Sequence, residues 1–218
     1  MKQKEKILII DFGSQFTQLI TRRVREANVY SEIHSHKITF EEIKKFEPTG
    51  IILSGGPMSV YDTDAPDLDE RILKINVPVL GICYGLQLIS KKLGGKVEPA
   101  KDREYGRAIL NVVKTSPLFN NVDKDSKVWM SHGDYLTELP KGFDIIAKSD
   151  HSPIGAVANE SEKIYGVQFH PEVVHTDEGK KIVHNFLFDI CGCTGNWTSH
   201  NFIENSIAEI KDKVGSTK

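Results

Sequence analysis

The sequence predicts an α/β domain with a doubly wound, mostly parallel sheet, flanking helices and an additional small antiparallel β part. Three observations carry that expectation. Four short apolar runs, at 7–11, 29–34, 50–53 and 77–82, alternate with amphipathic stretches over the first 95 residues. Runs such as Ile7-Leu8-Ile9-Ile10 and Gly50-Ile51-Ile52-Leu53 are continuous rather than alternating, as strands covered on both faces require. After Gly95 the texture changes to short segments rich in β-branched residues, separated by turn residues as in Leu139-Pro140-Lys141-Gly142.

Taken in order, residues 7–11 form a first buried strand. Phe12-Gly13-Ser14-Gln15 turns it into a helix over 16–27, with Leu19, Ile20 and Val24 facing inward. Gly13 and Ser14 read as a turn and a helix cap. They also stand where open α/β sheets hold ligands, beyond the carboxyl ends of the strands. A strand over 29–34, a short helix over 39–46, a strand over 50–53 and a helix over 65–75 follow. Residues 77–82 form the fourth strand. Leu86, Leu88, Ile89 and Leu93 then recur at helical spacing, and Gly94-Gly95 stop that helix. Segments 96–99, 108–113, 128–130, 143–148, 154–158 and 164–169 are expected as antiparallel strands added to the parallel core. An amphipathic helix returns over 177–190, with Ile182, Val183, Phe186 and Leu187 as its apolar stripe. A last amphipathic helix over 203–214 carries Ile203, Ile207, Ile210 and Val214 and requires a surface to dock on. The expected division is a main domain over 1–192 and a linker with a helix over 193–218.

Composition excludes several functional classes. The 218 residues carry a formal net charge of −2 with both signs mixed, so no basic stripe suits nucleic acid and no acidic tail is present. No apolar run approaches the roughly 20 residues of a membrane span, so no membrane partner is expected. Met1-Lys2-Gln3-Lys4-Glu5-Lys6 lacks the apolar centre of a signal peptide. Three cysteines, an odd number, argue against a disulfide framework and for the reducing cytoplasm. Cys191-Gly192-Cys193 has no second pair to complete four zinc ligands, so no metal is expected. Ser54-Gly55-Gly56-Pro57 lacks the Lys-Ser/Thr of a phosphate loop. A glycine pair at the carboxyl end of a strand is better placed to offer a backbone N–H to an oxyanion.

The chemistry centres on Gly81-Ile82-Cys83-Tyr84-Gly85. A nucleophile between two glycines at a strand-to-helix corner is the nucleophile-elbow pattern, here with Cys in place of Ser. The glycines permit the tight turn, and the helix N-terminus favours thiolate. Downstream, Gly166-Val167-Gln168-Phe169-His170-Pro171-Glu172 ends a strand with a His and sets a carboxylate two residues later. In extended geometry two such side chains point the same way. His170 can then move the proton of Cys83, and Glu172 can orient the imidazole and stabilise its charged form.

Together, G-I-C-Y-G-L-Q, F-H-P-E and the upstream S-G-G-P resemble the class I (triad) glutamine amidotransferases, in that family's order, over about residues 6–190. The resemblance implies a flavodoxin-like sheet and a Cys83, His170, Glu172 triad that hydrolyses the side-chain amide of L-glutamine. It implies an oxyanion hole from the Gly56 and Tyr84 amides, and a glutamine pocket lined by Gln87, Ser131, His132, Gly133 and Asp134. The opening from Ile9 to Gln15, then Arg22 to Glu26, Arg103 to Gly106, Trp129 to Asp134 and Val173 to Thr176 are similar to one branch of the family. In that branch the ammonia passes to an ATP pyrophosphatase (synthetase) domain or subunit that aminates XMP to GMP. The resemblance thus implies no cofactor in this chain, ATP and Mg²⁺ in the synthetase partner, and a full enzyme for which a homodimer stays open. Weak basal glutaminase activity is expected until that partner closes the site. Arg103, Glu104, His175 and Asp177 read either as surface charges or as part of that interface. Three competing readings are a glutaminase of the anthranilate or carbamoyl phosphate type, a γ-glutamyl peptidase, and a non-catalytic binding module. The intact triad positions argue against the last.

Overall fold

The computed structural model describes residues 5–150 and 152–215, with the side chains of 101–103, 199, 205, 206 and 209 outside the description. Residues Met1 to Lys4 and the side chain of Arg103 therefore lie outside the described residues. One nine-stranded sheet runs in the order β2-β1-β3-β4-β9-β8-β7-β5-β6. Its parallel half comprises β1 (Lys6–Asp11), β2 (Tyr30–Ser35), β3 (Gly50–Leu53), β4 (Val79–Ile82) and β9 (Ile164–Val167). Its antiparallel half comprises β5 (Lys96–Val112), β6 (Asp125–Glu138), β7 (Asp144–Ser149) and β8 (Ala156–Asn159).

The parallel strands are apolar because helices cover both faces. Ile7, Ile9 and Ile52 pack on one side with Ile20 and Val24 of α1 (Thr17–Glu26) and with Ile182 and Phe186. Leu8, Ile10, Ile51 and Leu53 pack on the other with Ile43 of α2 (Phe40–Phe46) and with Leu88 of α3 (Tyr84–Lys92). The start of α2 is set by a capping box: Thr39 Oγ1 accepts from Glu42 N, and Glu42 Oε2 accepts from Thr39 N. Ser14 is not the cap of α1. That place falls to Phe16, while Ser14 Oγ accepts from Phe16 N at 3.1 Å in the turn before it.

Four further expectations are corrected. Residues 65–75 are not an α-helix; only Glu70–Lys74 winds, as a 3-10 turn. Pro66 disfavours helix at the residue before it, and Asp69 caps the shorter turn. Residues 164–169 belong to the parallel core, because β9 pairs with β4 in parallel register. Segments 96–99 and 108–113 are parts of one long strand that bends at register shifts, including one between Pro99 and Glu104, and segment 128–130 lies within an equally continuous β6. The helix expected over 177–190 does form, as α4 (Gly179–Asn185) continuing in a π-helical turn over Phe186–Ile190, with Ile182, Val183, Phe186 and Leu187 buried. Finally, α5 (Ser199–Val214) leaves Ile203, Ile207, Ile210 and Val214 about half exposed or more. It meets the domain at its first turn, where Phe202 stacks on Tyr30 beside Trp197.

Burial pushes the Cys191 thiol well above 9.0 and the Cys193 thiol up to about 11, so both stay protonated where they pack. Among the described residues no helix is long and apolar enough to cross a membrane, and no group of three or more His, Cys, Asp or Glu is placed to hold a metal.

Candidate active site

The carboxyl ends of β1, β3 and β4, with the segment that follows β9, converge on one rim of the sheet. That rim is where a doubly wound sheet opens a crevice. Cys83 stands at the corner between β4 and α3 with φ 52° and ψ −106°. A non-glycine residue held at positive φ stores about 1–3 kcal/mol of strain, which the surrounding packing must hold. The flanking glycines show how the corner closes. A Cβ on Gly81 would stand 2.6 Å from Leu86 N, and one on Gly85 2.5 Å from Leu53 O. The sulfur therefore sits at the N-terminus of α3, whose dipole and free N–H groups favour negative charge. Cys83 Sγ is 3.7 Å from Ser131 O and 3.8 Å from Gln168 Nε2.

His170 Nδ1 lies 2.7 Å from Glu172 Oε1, and both residues are buried. They meet across a turn at 171–172 rather than along an extended strand, because Pro171 has no N–H to continue a ladder. The backbone around them is pinned from three sides. His170 N donates to Trp129 O at 3.0 Å. Thr176 Oγ1 donates to His170 O at 2.6 Å and accepts from Trp129 N at 3.0 Å. Arg23 Nε donates to Glu172 O at 3.0 Å. The Phe16 ring meets the imidazole edge-on at 5.2 Å.

With Nδ1 given to Glu172, Nε2 is the nitrogen left to face the sulfur. Burial alone would lower the imidazole's pKa. The Glu172 charge, the hydrogen bonds to Cys83 and to Glu172, and the Cys83 charge outweigh it, and the pKa rises from 6.5 to about 10. The arrangement favours an imidazolium held against the Glu172 side chain. The other carboxylate oxygen, Glu172 Oε2, has no hydrogen-bond donor among the described residues, so the ring is this carboxylate's one side-chain partner.

Cys83 and His170 open onto a cavity of about 700 Å³. Gly56, Tyr84, Gln87, Ser131, His132, Gly133 and Asp134 line it too, while Glu172 lies behind the imidazole and does not. Gly13 and Ser14 also line it, so the turn and the ligand-facing position coincide. Gln87 is tied into the wall, donating to Asp134 O at 3.0 Å and to Gln168 Oε1 at 3.4 Å. His132 Nδ1 is 3.0 Å from Asp134 O, and its Nε2 lies 3.1 Å from Glu104 Oε2 without forming a hydrogen bond. Glu104 is thus no surface charge; its side chain is 11% exposed. His175 and Asp177 are exposed, with His175 stacked on Trp129.

Sequence reading passes over several residues of this site. Ser59 Oγ and Tyr61 OH each donate to the Asp134 carboxylate at 2.6 Å, across more than seventy residues of chain. Their loop has no periodicity, so nothing local marks them. Thr176 and Arg23 lie in stretches that carried the family resemblance, but nothing local marked their contacts with the segment around His170. Gln168 did carry a signal, being the one amide side chain in the otherwise apolar run 164–169.

Comparison with known proteins shows the family. The family model described as glutamine amidotransferase class-I matches residues 8–190. A Listeria innocua protein named GMP synthase (glutamine-hydrolyzing) is 55% identical over 216 residues, which are 99% of this chain and 42% of that protein. The chain thus spans about two-fifths of the length of the curated relatives it matches. Among solved structures, a Thermoplasma acidophilum protein provisionally described as one subunit of a GMP synthase superposes with a TM-score of 0.76 at 31% identity, over 94% of this chain and all of that one. A Thermotoga maritima glutamine amidotransferase shares the fold, with a TM-score of 0.64 at 22% identity over 97% of this chain and 93% of that one. With the model match running from the first strand to the end of the last helical turn of the core, this chain belongs to the class-I glutamine amidotransferase family.

Proposed function

We propose that this chain hydrolyses the side-chain amide of L-glutamine to glutamate and ammonia, with Cys83 as nucleophile, His170 as acid and base, and Glu172 as the group that orients the imidazole. The observation that carries this reading is the buried Glu172–His170 pair hydrogen-bonded behind a cysteine strained into a strand–helix corner.

In this mechanism the thiolate adds to the amide carbon, and the oxyanion that forms is held by the N–H groups of Gly56 and Tyr84. Tyr84, the first residue of α3, carries one of the amides that the helix itself leaves unpaired. Removing one oxyanion donor costs about 3 kcal/mol of barrier, or 10²–10³ in rate. Imidazolium His170 gives its Nε2 proton to the departing nitrogen, which leaves as ammonia. The same nitrogen then takes a proton from water as it cleaves the γ-glutamyl thioester, and glutamate is released. Asp134 suits the α-ammonium of an amino-acid substrate. Its oxygens accept from Ser59 and Tyr61 and keep lone pairs for a third donor. Gln87, Ser131, His132 and Gly133 shape the same pocket.

The ammonia goes to a synthetase partner that uses ATP and Mg²⁺ to aminate XMP to GMP, and residues 193–218 serve as the connecting segment toward it. The names of the relatives and the share of them that this chain spans support that assignment. The test is to add the synthetase portion of a close relative together with ATP, Mg²⁺ and XMP. Glutamate release from a weak basal level should rise and track GMP formation. Strong glutaminase activity from the chain alone, unchanged by the partner, would sink the coupled reading.

A further inference from the structure

Gln168 adjoins the nucleophile and is fully buried. Its Nε2 is 3.8 Å from Cys83 Sγ, within the reach of a donor to sulfur. The proposed mechanism gives it no part. The orientation of its amide follows from its neighbours. Asp134 O can only accept, so it fixes the NH₂ end of Gln87 toward itself at 3.0 Å. That NH₂ group also meets Gln168 Oε1 at 3.4 Å, which turns the Gln168 carbonyl toward Gln87 and leaves its NH₂ for the sulfur. Gln168 N donates to Gly155 O at 2.9 Å, which anchors the residue's backbone.

We propose that Gln168 is a positioning residue for Cys83: its side-chain N–H, held in orientation by Gln87 and the Asp134 carbonyl, donates to the thiolate and stabilises it for attack. The charge logic is specific to the anion. In the thiol form Cys83 can donate to Ser131 O at 3.7 Å. In the thiolate form that carbonyl repels the sulfur, and the Gln168 amide is the neutral side chain positioned to attract it. A hydrogen bond to the charged form of an acid lowers its pKa. The relay also ties the wall of the cavity to the nucleophile, since Asp134 lies at one end and Cys83 at the other.

The inference rests on Cys83 being the nucleophile, so the test uses a readout that needs no glutamine turnover. The rate of Cys83 carboxamidomethylation by iodoacetamide, mapped by mass spectrometry, is followed against pH in the parent chain and in Gln168→Met. The variant keeps the length of the side chain and removes its donor. The titration midpoint should rise by about one pH unit, with a roughly tenfold loss of alkylation rate below it. Gln87→Met, which frees the Gln168 amide to rotate, should move the midpoint in the same direction by less. Should Gln168→Met fail to fold by circular dichroism, Gln168→Glu is used in its place. It has nearly the same shape, sets a carboxylate beside the sulfur, and should shift the midpoint upward by more. A folded Gln168 variant whose alkylation profile coincides with that of the parent overturns the assignment while leaving Cys83 as nucleophile. A parent chain that alkylates with the midpoint of an ordinary thiol overturns both.

Discussion

Glu172 Oε1 sits 2.7 Å from His170 Nδ1 with both side chains removed from solvent, the carboxylate completely so. Each group is intolerable there without the other. An unpaired carboxylate in that position is several kcal/mol unfavourable, and burial alone would leave the imidazole neutral. Joined, they hold a proton on the ring at neutral pH, opposite the sulfur.

Replacing Cys83 with Ala should lower glutaminase turnover by about 10³-fold or more with the fold intact, because no other group in the cavity can form the thioester. Melting temperature and circular dichroism alongside a glutamate-release assay check this. Normal turnover in the variant removes Cys83 from the mechanism.

Glu172→Gln should cost about 10⁴-fold in kcat, because the amide cannot stabilise an imidazolium. It should also reshape the dependence of stability on pH. The folded pKa of His170 is raised from 6.5 to about 10, so its contribution is fully present below about pH 6.5 and is lost as pH rises toward 10. One proton corresponds to a slope of at most about 1.4 kcal/mol per pH unit in that window. Urea unfolding of the parent between pH 6 and 10 should show declining stability, and the decline should shrink in Glu172→Gln. A parent whose stability is flat across the window contradicts the raised pKa.

Thr176→Val preserves shape but strands the Trp129 N–H and the His170 carbonyl, both held by the Thr176 hydroxyl. Stability should fall by about 1–3 kcal/mol, and kcat should fall more than KM changes, because the imidazole loses its anchor while the pocket wall stays. Denaturant melts and steady-state kinetics separate the two effects. A KM change with kcat untouched would mean that Thr176 serves the pocket instead.

Gly85→Ala brings a methyl to 2.5 Å from the Leu53 carbonyl, against backbone that cannot rotate away. The elbow must open or β3 must shift, at about 1–3 kcal/mol. A matching drop in melting temperature, with activity lost ahead of stability, is the expected result. A variant as stable and active as the parent would mean that the corner is looser than its contacts imply.

How much was legible in the sequence differs from element to element. The four parallel strands of the first half, the elbow and α1 to α3 could be read because continuous apolar runs and glycine punctuation are local properties. The helix read over 65–75 did not form: only 70–74 winds, and Leu68, Ile72 and Leu73 are buried from a mostly irregular segment. The run 164–169 looked like its antiparallel neighbours, because period and composition do not encode pairing partners. Only the seat beside β4 made it part of the parallel core. The apolar spacing of α5 was real, yet Ile203, Ile207, Ile210 and Val214 stay about half exposed or more, while Phe202 stacks on Tyr30 beside Trp197.

By itself the sequence determined that a cysteine would stand in a strand–helix corner, and that a histidine and a glutamate two residues apart would lie far downstream of it. Side-chain chemistry and local turn geometry are properties of neighbouring residues. Only the tertiary structure decided that β9 lies against β4, which brings His170 to Cys83, and that Ser59, Tyr61, Thr176, Arg23 and Gln168 close around them. Those relationships join residues up to about 150 positions apart. They form when strands buried on both faces choose the one order that fills the core, a choice that no single stretch of the chain contains.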